Sequence, residues 1–531
     1  MVSDSSSTSS QPSGAPAPNA GGGVSSSAPA GSANSGASAS VAKAGNAGSA
    51  ASVAKAGNAG GGASASASAA AKTKSKGTVS TMGATAIGLG GMMGAGLYTL
   101  LGLAATIAGQ WVPLAFIIGG AVAAFSVYSY SKLGATFPSR GGAGEFLIKS
   151  FGDNTIAGGT NVFQLVGWVI AMALYAVGFG GYAADVLPWH MADWAPKAFG
   201  IGLVVVVVGI NFIGSRWVSR SELFVVVIEL IILAIFLFFA FWKADYTSFW
   251  HSFSTSGDHH WTGIFYAAGL LYVTYEGFGV VTNSAGDMRN PSKQLPRAMY
   301  TALIAVIAIY VAVSSAVVLV MSVSDMEKNA GHVLAEAAKA VMGKTGFILL
   351  GSAALLATAS AVNATMFGDA NLGFMMSTKR QLPAKVGKNI WRGGNVATLV
   401  VAALTIFFVA FFPLASVGQM ASLAFLLIYA MVSVGHLRVR KQTGAKAWVL
   451  WTAIILNLAL FVLLMFYTIS HKQTGTWVTL LVVLALSFVV EYLYKKITGT
   501  HFRLRDFGRV HLHGPFHSKH GEHAKTGQHS A

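Results

Sequence analysis

Gly88-Leu89-Gly90-Gly91-Met92-Met93-Gly94-Ala95-Gly96-Leu97-Tyr98 lies within the first long apolar stretch of this 531-residue chain. Five glycines in so short a run are too many for an ordinary membrane helix. Glycine has no side chain to pack and lets the backbone leave the helix, so peptide groups come free at membrane depth. Unpaired backbone is tolerated there only where it lines a cavity or binds something. The packing alternative is that small residues let two helices approach closely.

The composition supports a membrane setting. The chain is 54% hydrophobic and only 10% charged, whereas soluble domains carry about a quarter charged residues. It has no cysteine, so disulfides, thiolate metal sites and cysteine nucleophiles are excluded. A net charge of +17 would suit a nucleic-acid partner, but the basic residues are scattered through short connections between apolar stretches. They read as topology signals, and no nucleic acid is expected.

A helix of about 20 residues crosses a ~30 Å hydrocarbon core. Twelve such stretches follow one another: 79–107, 112–134, 157–184, 198–214, 221–242, 262–285, 298–322, 345–371, 395–412, 414–437, 448–469 and 475–495. Alternate connections are rich in Lys and Arg: Lys132 to Lys149, Arg216 to Arg220, Arg289 to Arg297, Lys379 to Arg392 and Arg438 to Lys446. The positive-inside rule places these, and both termini, in the cytoplasm of a multi-pass cell-membrane protein.

Residues 1–78 are Ser/Ala/Gly-rich and nearly free of aromatics, and form a low-complexity, disordered tail in which Ser40–Gly48 recurs as Ser52–Gly60. Its start has no apolar signal-peptide core, so no cleaved leader is expected. Residues 498–531 form a basic tail holding seven of the fourteen histidines, expected to be solvated rather than metal-binding. Between them, 79–440 is read as the functional core and 441–497 as two added helices.

The sixth stretch is also interrupted, at Thr274-Tyr275-Glu276-Gly277-Phe278, where a carboxylate sits beside glycine in mid-span. Stretches one and six are corresponding members of two five-helix halves, and paired interruptions of this kind point to a transporter's binding site. A half-helix starting after Gly94 would aim its free N–H groups at an anion such as a carboxylate. Exposed carbonyls at Met92 and around Tyr275 would accept hydrogen bonds from an ammonium group, so a zwitterion would satisfy both ends.

These residues resemble the amino acid–polyamine–organocation superfamily of permeases. The glycine run is similar to that family's first-helix signature. Phe125–Gly142 resembles its second helix and following loop. Tyr275-Glu276-Gly277-Phe278 with Arg289-Asn290-Pro291 and Leu295-Pro296-Arg297-Ala298 is similar to the sixth helix and its loop, and Asn363-Ala364-Thr365 with Gln381-Leu382-Pro383 to the end of the eighth. The resemblance covers about 79–440 and, more loosely, the last two stretches. It implies an all-α membrane protein of about 12 transmembrane helices, with a LeuT-like five-plus-five inverted repeat whose first and sixth helices are broken.

Carried over by position, the carboxylate-binding amides fall on Gly94, Ala95 and Gly96, and the amine-binding carbonyls on Met92, Met93, Tyr275 and Glu276, with Gly277 at the break. Two positions depart from the family pattern. Gly279 stands where an acid is frequent, and Glu229 occupies the middle of the fifth span, where many proton-coupled members carry lysine.

Glu229 and Glu276 are the intramembrane carboxylates to which a coupling role is assigned, because an ionised acid at that depth is costly unless paired. Trp168, Tyr175 and Tyr272 are candidate gates, with plain packing as the alternative. Thr358, Ser360 and Thr365 could ligate sodium or bond to their own helix. Asp369 could pair with a loop arginine or act as a cap. Gly331–Met342 reads as a short amphipathic helix outside the membrane, and Gly144–Phe151 as its counterpart inside.

Together these features imply secondary active transport of an amino acid or related amine by alternating access, with the proton as coupling ion and sodium as the alternative. An exchanger of two related solutes is the rival, and a non-transporting amino acid receptor a more distant one. No catalytic constellation, metal-ligand set or phosphate loop stands out, so neither an enzyme nor a cofactor is expected.

Overall fold

The glycine-rich breaks and the proline and asparagine punctuation divide the chain into helices. The computed structural model describes residues 79–93, 96–139, 141–187, 192–213, 218–244, 246, 261–391 and 394–498. All of them belong to a unit spanning Thr73–Ala531, distinct from Met1–Lys72. Both predicted tails lie outside the described residues, and so do Gly94 and Ala95.

The first apolar stretch is two helices, α1 (Thr81–Met93) and α2 (Gly96–Ala108). After a 3-10 turn at Gly109–Trp111 come α3 (Val112–Thr136), α4 (Gly142–Phe151), α5 (Thr155–Val186), α6 (Ala195–Ile213) and α7 (Val218–Lys243). The sixth stretch is α8 (Trp261–Leu271), a 3-10 turn at Tyr272–Tyr275 and α9 (Phe278–Asn283). Then follow α10 (Pro291–Val320), α11 (Val323–Lys328), α12 (Val333–Thr378), α13 (Val396–Phe411), α14 (Leu414–Thr443), α15 (Ala447–Ser470) and α16 (Thr474–Ile497).

Local chemistry sets the ends. Asn154 accepts from the Ala157 N–H at 2.9 Å to cap α5, and Asn395 accepts from the Thr398 N–H at 3.0 Å to cap α13. Pro291 opens α10, where its missing N–H costs nothing. Among the described residues, ten helical runs are long and apolar enough to cross a membrane, so the chain is a multi-pass, all-α membrane protein.

α12 is 46 residues long but is not one helix: Gly343 has φ 68° and splits it. The first part matches the predicted amphipathic segment, with Val333, Leu334, Ala337 and Val341 all buried. A small hairpin, β1 (Asn389–Trp391) against β2 (Gly394–Asn395), was not foreseen, since strands this short carry no alternation to read.

Packing pairs particular helices. α10 lies along α3, α12 along α5, α13 along α6, and the halves of the first stretch along those of the sixth. α12 also packs on α7 and α5 on α14; α1 packs on α10 and α8 on α3; α10 touches α7 and α3 touches α14.

The connections gather in two groups. In one, the Asn161 side-chain amide donates to Gln381 Oε1 at 2.8 Å and to the Gly144 carbonyl, and Lys495 meets Asp153 at 3.0 Å. In the other, Lys197 donates to the Ala410 carbonyl, Lys243 to the Val341 carbonyl, and His332 meets Asp185 at 2.6 Å.

Candidate substrate site between two broken helices

The first and sixth apolar stretches touch backbone to backbone. A side chain on Gly277 would run into the Gly91 and Met92 backbone, and one on Gly91 would meet Gly277 Cα at 3.1 Å. A side chain on Gly96 would meet Thr274 Cα at 2.8 Å, one on Gly88 would meet Val281 at 3.0 Å, and one on Gly263 would meet the Ile107 carbonyl at 2.5 Å. Each step forward along one stretch is a step back along the other, so the two run antiparallel. The glycine run therefore does what the packing alternative required: it lets the two stretches close on each other.

Neighbouring helices satisfy the backbone groups that the breaks release. The Ser422 hydroxyl of α14 accepts from the Val273 N–H at 3.2 Å and donates to the Leu270 carbonyl. The Tyr310 hydroxyl of α10 reaches both breaks, donating to the Met92 carbonyl at 2.5 Å and lying 3.1 Å from the Thr274 carbonyl. Its ring is held between Phe116 and Tyr275, with centroids 5.1 Å and 5.4 Å away, and Tyr275 is itself anchored by donating to the Phe116 carbonyl at 2.7 Å.

Glu276 is buried at the second break, and its Oε1 accepts from the Tyr429 hydroxyl at 3.1 Å. Tyr429 is the centre of an aromatic cluster, with Tyr130, Tyr272 and Phe278 rings 5.1, 5.8 and 4.9 Å away. Gly279, where the family pattern favours an acid, borders Glu276, Tyr130 and Tyr429 at ordinary van der Waals distance. Among the described residues no cation reaches this carboxyl.

The predicted site residues separate into those the fold brings together and those it does not. Met92, Tyr275, Glu276 and Gly277 converge at the crossing, Met93 is buried on the same turn, and Gly96 opens α2 against Thr274. Gly94 and Ala95 are outside the described residues. Tyr272 borders Tyr429, but its hydroxyl is tied to Ser126 at 2.8 Å, and Ser126 accepts from Asn457 of α15 at 3.0 Å. Tyr175 is buried on α5. Trp168 stands further out, edge-on to Phe425 at 5.3 Å, and Phe425 in turn stacks on Tyr429.

Glu229 is buried apart from Glu276, on α7. It faces the Tyr98 hydroxyl of α2, yet its Oε1 and the Tyr98 Oη are each left without a well-formed hydrogen bond.

The hydroxyl expected either to ligate sodium or to bond to its own helix does the latter at Thr358, which donates to the Ala354 carbonyl at 2.6 Å. Asp369 is buried with neither oxygen hydrogen-bonded among the described residues. The helix runs on to Thr378, so Asp369 sits inside it rather than at a cap.

Tyr310, Tyr429, Ser422 and Asn457 were not singled out by the sequence reading. The available signal was a polar group alone in an apolar helix, since a buried hydroxyl or amide must find a partner.

Within this multi-pass bundle, then, two apolar stretches cross antiparallel by backbone contact, and the sixth is interrupted beside a buried acid. The family model "amino acid permease" matches residues 79–488, and the chain belongs to that family. An uncharacterized protein of Methanocaldococcus jannaschii is 30% identical over 79% of this chain and 95% of its own length. The inner membrane transport protein YbaT of Escherichia coli is 29% identical over 77% of this chain and 94% of its own. The methylthioribose transporter of Bacillus subtilis is 24% identical over 80% and 95%. The protein is accordingly a transporter.

Proposed function

We propose that the protein is a secondary active transporter that carries amino acids or related amines across the cell membrane by alternating access, with the proton as coupling ion. The observation that supports this reading is the backbone contact of Gly277 with Gly91–Met92, with Glu276 next to Gly277 in sequence and Gly96 facing Thr274. An amine end and a carboxylate end are what a zwitterion needs, with the helix N-terminus at Gly94, Ala95 and Gly96 taking the anion.

The packing supports a five-plus-five repeat within 79–440. Exchanging the first stretch with the sixth, α3 with α10, α5 with α12, α6 with α13 and α7 with α14 carries the α12–α7 contact into α5–α14. The same exchange carries α1–α10 into α8–α3 and α10–α7 into α3–α14. Such an exchange relates two halves that turn against each other around a fixed site. The two added helices complete twelve, and the grouping of the connections fits cytoplasmic termini.

Glu276 and Glu229 are the proposed coupling residues, since among the described residues neither has a cation to hold it ionised in apolar surroundings. Trp168, Tyr175 and Tyr272 remain the proposed gate. Exchange of two related solutes uses the same site and is the second reading.

Uptake into proteoliposomes across an amino acid and diamine panel, with proton and sodium gradients imposed separately, tests the proposal. Accumulation driven by an inward proton gradient supports it, and sodium-driven accumulation indifferent to pH overturns the coupling. A relative named for methylthioribose puts that solute in the panel.

A further inference from the structure

The Tyr310 hydroxyl has one proton and two backbone acceptors, one from each broken helix. A phenol can donate fully to only one of them. Met92 receives it at 2.5 Å, while the Thr274 carbonyl waits at 3.1 Å. The ring is fully buried and wedged between Phe116 and Tyr275, so the side chain has nowhere to swing. Turning the O–H about its own C–O bond is enough to move the proton from one carbonyl to the other.

We propose that Tyr310 holds the place of the substrate's ammonium group at the Met92 carbonyl, and cedes that carbonyl to the amine by turning its proton to Thr274. This rests on the reading of the Met92 carbonyl as part of the amine end. Before substrate arrives, the phenol keeps a buried acceptor satisfied. When an ammonium group enters, no donor or acceptor is orphaned, because the displaced proton has the Thr274 carbonyl within reach. The exchange makes an amine compete with an internal donor. Binding is weaker than the carbonyl alone would give, and release is correspondingly easier. A solute without an N–H donor gains nothing from displacing the phenol, so Tyr310 is a specificity-determining residue for amines.

The experiment measures binding to the purified full chain, by thermal shift and by equilibrium binding, using the panel member that stabilises the wild type most and its des-amino analogue. Tyr310→Phe removes the competing donor, so the amine Kd should fall by about tenfold, the worth of one hydrogen bond to a buried acceptor. The des-amino analogue should be unaffected, and net uptake should slow as release becomes limiting.

Tyr182→Phe is the control. It deletes a buried phenol that donates to the Tyr98 carbonyl at 3.0 Å, and should lower stability with the amine Kd unchanged. A fluorinated tyrosine at 310, a stronger donor of nearly the same shape, should weaken amine binding, and serves also if Tyr310→Phe does not fold. If Tyr310→Phe behaves as Tyr182→Phe does, or the fluorinated residue leaves the amine Kd unchanged, the placeholder role is overturned and the site reading stands. If no amine in the panel shifts the wild type, the amine end itself has been misread and the proposal falls with it.

Discussion

Two regions of the molecule combine glycines with a buried acid, and they differ in what fills the space. At the crossing, Gly277 meets the Gly91–Met92 backbone and Glu276 meets the phenol of Tyr429. At the junction of α16 with α5, Gly158 and Gly159 meet the side chains of Glu491 and Phe488, and Glu491 lies 3.1 Å from Lys495. Backbone against backbone leaves no part able to yield. A side chain in a glycine notch is the movable end of a flexible group. The acids differ in their partners: a lysine braces Glu491, whereas a phenol bonds Glu276 and, among the described residues, no cation reaches it.

The strongest way to break this comparison is Gly277→Ala. Its methyl has only rigid backbone to press on, so it should cost more than about 3 kcal/mol and abolish monodisperse protein in size-exclusion chromatography. Gly158→Ala displaces only the Glu491 side chain, and should cost about 1 kcal/mol, read as a small fall in thermal midpoint. Equal losses from the two would remove the distinction.

Glu276→Gln comes next, because it fixes the side chain in its uncharged form. Exchange of labelled for unlabelled substrate should persist while accumulation driven by a proton gradient disappears. Wild-type accumulation in this variant would take Glu276 out of the coupling.

Tyr429→Phe leaves Glu276 Oε1 without its donor, at a cost of about 1–2 kcal/mol, and should move the pH dependence of uptake while leaving expression intact. The smallest effect is expected from Glu491→Gln. Its partner Lys495 also contacts Asp153 and keeps a carboxylate, so the thermal midpoint should fall only modestly, and pH-driven accumulation should match the wild type. A lost proton response there would make Glu491 more than a brace.

The glycine run and the Glu276-Gly277 pair were legible because they are anomalies in one dimension, residues that an apolar helix does not want. The split at Gly343 was legible for a related reason: a charged amphipathic segment gives way to an apolar one. Tyr310 and Tyr429 were not, since each acts on a group 218 or 153 residues away, and a phenol in an apolar span reads as packing until its partner is known. Asp369 misled in the opposite direction. Its nearness to the end of the apolar run suggested a cap or an ion pair, but the helix outlasts the run and leaves the carboxyl inside. Apolar length predicts where a membrane ends better than where a helix does.

The antiparallel register of the two broken helices has a consequence for how this chain can change over time. Gly88, Gly91 and Gly96 face Val281, Gly277 and Thr274 in strict reverse order, with Ile107 facing Gly263 beyond them. Inserting or deleting one residue between these points on either helix would slide every later contact onto a side chain. A lineage can therefore exchange the surrounding phenols and acids one at a time, and with them its preferred cargo. A change of length in one of these segments succeeds only with a matching change in the other.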